Sequence, residues 1–156
     1  MIRFRVSLRP SAVAGIVAAQ KKPDFSGEWT LDRRASVLSP AASGVQGGVV
    51  VIQHHEPQFH HKATLQTQTT PIEYEWQFVS DGNQVVSTQA GATTTMTSLR
   101  WDGEALALSS LMQRGAADTS ITFRYELIDS GRRLRATEKI RGAREQDNVR
   151  IFDRQQ

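Results

Sequence analysis

The chain has 156 residues, of which 38% are hydrophobic and 22% are charged, with a net charge of +3 and no cysteine. This length and composition predict one globular domain. The lack of cysteine excludes disulfide frameworks and thiolate metal centres, and no apolar run approaches the ~20 residues of a membrane-spanning helix, so we expect no stable membrane insertion.

The excess positive charge lies at the N-terminus. Residues 1–22 combine basic residues with a short alanine-rich apolar run and a Val-x-Ala site that ends at Ala19, a pattern typical of a secretory signal peptide. A disordered N-terminal extension is the alternative. Cleavage after Ala19 would remove Arg3, Arg5 and Arg9 and leave 16 basic residues to balance 16 acidic ones. We therefore expect a secreted or periplasmic protein that does not bind nucleic acid.

After residue 22, apolar and polar residues alternate in short runs between turn residues, which indicates strands rather than helices. Ten strands are predicted, at 25–31, 49–54, 59–65, 72–79, 84–88, 93–101, 105–112, 120–128, 134–140 and 148–152. The segment 32–48 contains Pro40 and several glycines, and it is predicted to be a loop with at most one short helix, around 33–37.

Three connections contain turn dipeptides, namely Asp81-Gly82, Asp102-Gly103 and Ser130-Gly131, which favour two-residue hairpins between antiparallel neighbours. In 72–78 and 121–127 every second residue is large and apolar, so one face of each strand is predicted to be buried. Because closure removes exposed strand edges, residues 23–156 are predicted to form one all-β domain, a single antiparallel up-and-down barrel of about 8–10 strands.

The segment 23–32 contains Phe25, Gly27 and Trp29 in the order Phe-x-Gly-x-Trp. This motif resembles the N-terminal signature of the calycins, the superfamily of the lipocalins and fatty-acid-binding proteins. The rest of the chain looks like a group of secreted bacterial lipocalin-like proteins of unassigned role. In such a lipocalin-like barrel, we expect Gly27 to let a bent first strand cross the barrel floor and Trp29 to plug it.

The last predicted strand is also similar to that of the fatty-acid-binding proteins, in which an inward Arg two residues before an inward Tyr holds a ligand carboxylate. Arg150 and Phe152 have this spacing, although Phe152 lacks the hydroxyl. A buried guanidinium needs a partner, which we expect to be either Glu138 or an anionic ligand. The helical lid of that family would fall in 32–48, which is short and rich in helix breakers.

The predicted ligand-binding residues are those expected on the inward strand faces: Tyr74, Trp76, Phe78, Trp101, Leu108, Phe123, Tyr125, Arg150 and Phe152. They predict burial of a small, mainly apolar molecule without a cofactor, with Arg150 and Tyr125 as polar anchors. The sequence leaves open whether the interior is hollow or packed. A packed interior would instead favour a protein- or glycan-binding module that uses an outer sheet face or the strand of Thr93, Thr94, Thr95 and Thr97.

Four histidines, His54, His55, His60 and His61, flank one turn. A three-residue turn would place His54 opposite His60, where the two could bind zinc with Glu56. The alternative is a polar hairpin rim in solvent, and we predict no metal site.

Motifs for nucleophilic, zinc-dependent and phosphate-loop catalysis are absent from the sequence. Glu73 and Glu75 lie on a predicted wet face, where nothing would raise a carboxyl pKa for acid catalysis. We therefore expect a binding protein rather than an enzyme.

Overall fold

A computed structural model describes residues 21–89 and 91–156. Its ten strands are β1 (Gly27–Val37), β2 (Gly47–His55), β3 (Gln58–Gln66), β4 (Ile72–Val79), β5 (Val85–Gln89), β6 (Thr93–Asp102), β7 (Ala105–Arg114), β8 (Ala117–Ile128), β9 (Arg133–Arg141) and β10 (Gln146–Arg154). The predicted all-β class is confirmed. Nothing in these ranges forms a helix with the length and hydropathy needed to cross a bilayer. The predicted signal segment or extension, 1–22, lies outside the described residues except for its last two positions.

The strands form one curled antiparallel sheet in the order β4-β3-β2-β1-β10-β9-β8-β7-β6-β5. The first and last strands meet in its middle, where Trp29 pairs with Arg154 and Leu31 with Phe152. Every other neighbour is consecutive in sequence, so the predicted up-and-down connectivity is confirmed.

The predicted hairpin at Asp81-Gly82 is wrong, because β4 and β5 are the two ends of the sheet and do not pair. Asp81 instead forms a β-bridge with Arg100 of β6, and the Gly82 N–H donates to the Leu99 carbonyl at 2.9 Å. A turn dipeptide fixes the local bend but not the partner of the next strand. The result is an opening in the barrel wall, which we call the β4–β5 gap.

Two other turns also differ in register from the prediction. The β6–β7 connection has two residues, but they are Gly103 and Glu104, because Asp102 pairs with Ala105. The two-residue hairpin predicted at Ser130-Gly131 is wrong, since the β8–β9 connection has four residues and contains the 3-10 turn Asp129–Gly131.

The helix predicted around 33–37 is wrong, because β1 continues through an irregular stretch to Val37. Oδ1 of Asp32 accepts the backbone N–H groups of Arg34 and Ala35, each at 3.0 Å. The Ser36 hydroxyl oxygen accepts the N–H of Ile151 at 3.0 Å, which ties this stretch to β10. Local side-chain hydrogen bonds thus replace a regular ladder. Only the 3-10 turn Pro40–Ala42 follows before β2, so the described chain has no helical lid there.

The end of the barrel where β1 begins and β10 ends is closed by aromatic side chains, and we call it the plugged end. Phe25 and Trp29 are fully buried there, and the Trp29 indole N–H donates to the Phe25 carbonyl at 3.0 Å. Gly27, with φ of +141°, carries the chain between them. The predicted Trp29 plug is confirmed. We call the opposite end, beside Pro40–Ala42, the open end.

Candidate functional site

Two cavities lie between the inward faces of the strands. The first, the mouth cavity, measures about 340 Å³ at the open end and is lined by residues that include Val45, Leu65, Ile140 and Arg150. The second, the gap cavity, measures about 300 Å³ beside the β4–β5 gap, against Trp76, Phe78, Leu108 and Phe123. Tyr74 and Glu138 line both, so the cavities meet at these two side chains. Both cavities are open to solvent, so the inward faces of the strands are only partly covered by packed side chains.

The wall of the gap cavity is built from rings on β3, β4 and β8. The Trp76 ring stacks on His61 at 4.9 Å with an interplanar angle of 9°, and the Phe123 ring stacks on Tyr125 at 5.8 Å and 12°. Phe59, fully buried, supports Trp76 from below at 5.3 Å. Stacked rings in contact on both sides have little rotational freedom, so this wall presents a preformed apolar surface.

A charged pair lies beside this wall. The Arg150 guanidinium of β10 donates from Nη1 to Oε2 of Glu138 at 3.0 Å, and the Asn148 amide donates to the same oxygen at 2.8 Å. All three side chains are buried. Asn148 also accepts the backbone N–H of Ser39 at 2.8 Å, which anchors the loop before Pro40–Ala42 to this centre. Glu138, one of the two partners expected for Arg150, is thus its partner.

Three buried polar atoms around this pair have no hydrogen-bond partner in the described part of the chain: Nδ1 of His61, the hydroxyl of Tyr125 and Nε of Arg150. Burial lowers the pKa of His61 to about 4 and raises the pKa of Tyr125 well above its usual value. Both rings are therefore neutral near pH 7. The centre of the interior is therefore polar. Among the described residues, Glu138 and Arg150 are its only charged side chains.

The structure brings together most of the residues predicted to bind a ligand. Six of the nine line a cavity, namely Tyr74, Trp76, Phe78, Leu108, Phe123 and Arg150. Tyr125 is buried behind Phe123. Trp101 and Phe152 line neither cavity: Trp101 packs at 6.1 Å from Phe25 at the plugged end, and Phe152 lies in the core opposite Leu31.

The predicted set lacked four residues that line the gap cavity, namely Thr97, Ser110, Ile121 and Glu138, and most of those that line the mouth cavity. Ile121 lies two residues before Phe123 on the same face, so the alternation of β8 was sufficient to identify it. Thr97 and Ser110, whose hydroxyl oxygens lie 2.9 Å apart, gave no such signal, because polar residues at inward positions interrupt the apolar pattern.

The histidine hairpin has a two-residue turn, so His54 pairs with Phe59 and not with His60, as a three-residue turn would have required. The Nε2 atom of His54 lies 3.0 Å from Glu56 Oε2, while its Nδ1 accepts the N–H of Phe25 at 3.2 Å. His60 instead faces Glu75 on the outer surface. In the described ranges no three potential ligand side chains are grouped closely enough to hold a metal ion.

Glu56 joins three strand ends at the plugged end. Its carboxylate also accepts the Ser80 hydroxyl at 2.6 Å and the Trp101 indole N–H at 3.0 Å. Burial acts to raise the pKa of Glu56, but the hydrogen bonds from Ser80, His54 and Trp101 outweigh it and hold the pKa below the usual value. This network holds the strand ends together at the plugged end of the barrel.

A larger depression of about 720 Å³ lies on the surface at the β8–β9 turn. Arg133 in its wall donates to Asp32 and Asp153, each at 2.7 Å. The charge of Arg133 is thus balanced by neighbouring carboxylates, as expected for a solvated surface. We therefore place the candidate site in the interior cavities.

Comparison with known proteins gives the fold. No family model and no curated protein sequence matches the chain. Among solved structures, the REP1-NXSQ fatty acid transporter superposes with a TM-score of 0.56 and 17% identity, over 85% of this chain and 96% of that one. The fluorescent protein UnaG gives 0.54 and 15%, over 84% and 97%. Human cRBP IV gives 0.53 and 16%, over 85% and 99%. The resemblance first seen in the Phe-x-Gly-x-Trp segment thus extends to the whole barrel, and the chain has the calycin fold.

Proposed function

We propose that this protein binds a small, mainly apolar molecule inside its barrel and carries it without changing it chemically. The observation that carries this proposal is the pair of connected interior cavities, one walled by stacked aromatic rings and both touching a buried polar centre. An apolar wall with a few convergent polar groups is the usual composition of a small-molecule site. Burial of apolar ligand surface would supply the binding free energy, at about 25 cal/mol per Å² before the cost of ordering the ligand.

The structural comparison supports the same proposal. One protein that shares the fold is named a fatty acid transporter, and its structure is covered almost completely by this chain. The absence of a helical lid between β1 and β2 in this chain would leave the mouth cavity accessible from the open end. A ligand would then enter past Pro40–Ala42 or through the β4–β5 gap.

Tryptophan fluorescence tests the proposal, because Trp76 lines the gap cavity whereas Trp29 is sealed in the plugged end. We expect titration with a series of fatty alcohols, fatty acids and their esters to change the emission in a saturable way. The change should persist in Trp29→Phe and disappear in Trp76→Phe. Recovery of an unmodified ligand by mass spectrometry would support binding rather than catalysis. If no ligand of the series changes the Trp76 emission and none gives a heat of binding, the proposal is overturned.

We also propose that the protein acts outside the cytoplasm, as the signal-like segment 1–22 suggests. Expression of the full chain in a bacterium, followed by N-terminal sequencing of the periplasmic fraction, tests this. A mature protein that begins at Gln20 is the expected result. Retention of an intact N-terminus in the cytoplasm would contradict it.

A further inference from the structure

The carboxylate of Glu138 lies where the two interior cavities meet. Glu138 lies on β9 and lines both the mouth and the gap cavity. Its Oε2 atom accepts from both Arg150 and Asn148. Its Oε1 atom accepts no hydrogen bond from the described residues, and it is not one of the sealed polar atoms of the interior. Oε1 of Glu138 is therefore an open hydrogen-bond acceptor at the junction of the cavities.

The positive charge of Arg150 is already paired with the carboxylate of Glu138. The guanidinium holds Glu138 at 3.0 Å, and the pair together contributes no net charge to the interior. A ligand carboxylate placed there would lie beside a second carboxylate in a poorly solvated site, where like charges repel strongly. It would also compete with Glu138 for the one positive charge of Arg150, and weakening this ion pair would leave a buried carboxylate poorly compensated, which is costly.

A neutral group that donates a hydrogen bond avoids both costs. The hydroxyl group of a ligand can donate its O–H to Oε1 of Glu138, and the hydroxyl oxygen can accept a hydrogen bond from a neighbouring donor. An ester can only accept, and an ionised carboxylate can only accept and also carries charge.

We infer that the Glu138–Arg150 pair makes this barrel select neutral amphipathic molecules with a hydrogen-bond donor, such as a long-chain alcohol, over fatty-acid anions. This inference rests on the proposed function and names the ligand class for the same cavities. Glu138 is the residue that sets this preference.

Three ligands that share one chain length test the inference: 1-decanol, methyl decanoate and decanoate, titrated against the full chain at about pH 7, where the acid is ionised. Calorimetry with Trp76 emission as a second readout gives the three dissociation constants. We expect decanol to bind about tenfold or more tighter than decanoate, with the ester between them. Decanoate binding as tightly as decanol would overturn the inference and leave the proposed function standing. Binding of none of the three would overturn both.

The variant Glu138→Gln tests the role of this residue. Its amide oxygen still accepts from Arg150 and Asn148, but the competing charge is gone. We expect decanoate binding to tighten about tenfold, with decanol affected much less. The matched control is Glu126→Gln, which removes a carboxylate from an Arg135 pair on the outer face and should leave all three constants unchanged. An unchanged decanol-to-decanoate ratio in folded Glu138→Gln would overturn the assignment. Should that variant not fold, the ratio in the unmodified protein still decides the inference.

Discussion

The guanidinium group of Arg154 lies 4.2 Å from the centroid of the Trp29 ring. The same side chain donates to the Ser26 carbonyl at 2.7 Å and to the Gly131 carbonyl at 3.0 Å. The end of β10 is thereby joined to the start of β1 and to the β8–β9 turn. Tryptophan is the aromatic ring that attracts a cation most strongly, so this contact holds the plug of the barrel in place.

Replacing Arg154 with Met keeps much of the aliphatic stem but removes the cation and both hydrogen bonds. We expect Arg154→Met to lower the free energy of unfolding by about 1–3 kcal/mol. Urea denaturation at neutral pH measures it. Arg144→Met, at an exposed position of the β9–β10 turn, is the control and should have little effect. Equal stability of the two variants would contradict the role assigned to Arg154.

Two adjacent glycines of β2 provide a second pair of matched variants. A Cβ atom at Gly48 would lie 2.8 Å from the Thr64 carbonyl oxygen and 2.8 Å from Leu65 Cδ2, whereas one at Gly47 would meet nothing within 4 Å. We expect Gly48→Ala to cost about 1–3 kcal/mol, because the β2 and β3 backbones would have to separate. Gly47→Ala should change stability by no more than about 0.5 kcal/mol. Thermal unfolding of the two proteins compares them, and equal midpoints would show that β2 and β3 tolerate the added methyl group.

How much of the fold the sequence predicts depends on how local the deciding interactions are. The bounds of β4 were predicted correctly because its alternation of large apolar and polar residues has no interruption. The end of β1 was predicted too early, since Asp32 and Ser36 hold an irregular stretch through hydrogen bonds to the backbone. The β4–β5 gap depends on pairing across the whole barrel, which the Asp81-Gly82 turn signal does not report.

The same distinction applies to the candidate site. Tyr74, Trp76 and Phe78 were predicted from the period of one strand. The Glu138–Arg150 contact required the register of β9 against β10, so the sequence supported Glu138 only as one of two partners. Which inward residues face a cavity and which fill the core depends on how the sheet curls. This explains why Phe152, inward as expected, lies away from both cavities.

His61 should make the stability of the protein depend on pH. Burial lowers its pKa from 6.5 to about 4, so between these values the unfolded chain binds a proton that the folded chain does not. The contribution is fully present above about pH 6.5 and is lost as the pH falls to about 4, for a total of about 3 kcal/mol. His61→Phe keeps a flat ring against Trp76 and should flatten this dependence. Unfolding free energies measured across this range test it, with His55→Gln as the exposed control. A slope that survives in His61→Phe would contradict the assignment.

Glu56 should make stability depend on pH in a lower range than His61 does. Its folded pKa lies below the ordinary 4.5, so its contribution is present above about pH 4.5 and is lost as the pH falls through the lowered value. We expect Glu56→Gln to weaken the acid sensitivity below about pH 4.5 while leaving the His61 range unchanged. The effect should be smaller than that of His61, because the Glu56 side chain is 45% exposed. Acid titration followed by circular dichroism measures it, with Glu73→Gln as the control. Identical acid midpoints for Glu56→Gln and the unmodified protein would show that the network contributes no stability through this carboxylate.

Filling the gap cavity should abolish binding without unfolding the barrel. Ile121 lines this cavity, and the next residue, Thr122, is exposed on the opposite face of β8. A tryptophan at position 121 would project into the space beside Phe123, so we expect Ile121→Trp to weaken decanol binding about tenfold or more. Thr122→Trp adds the same side chain to the outer surface and should bind normally. Calorimetric titration of the two variants, with thermal unfolding to confirm that both are folded, makes the comparison. Normal decanol binding by folded Ile121→Trp would place the ligand outside the gap cavity and leave the mouth cavity as the remaining interior site in the described residues.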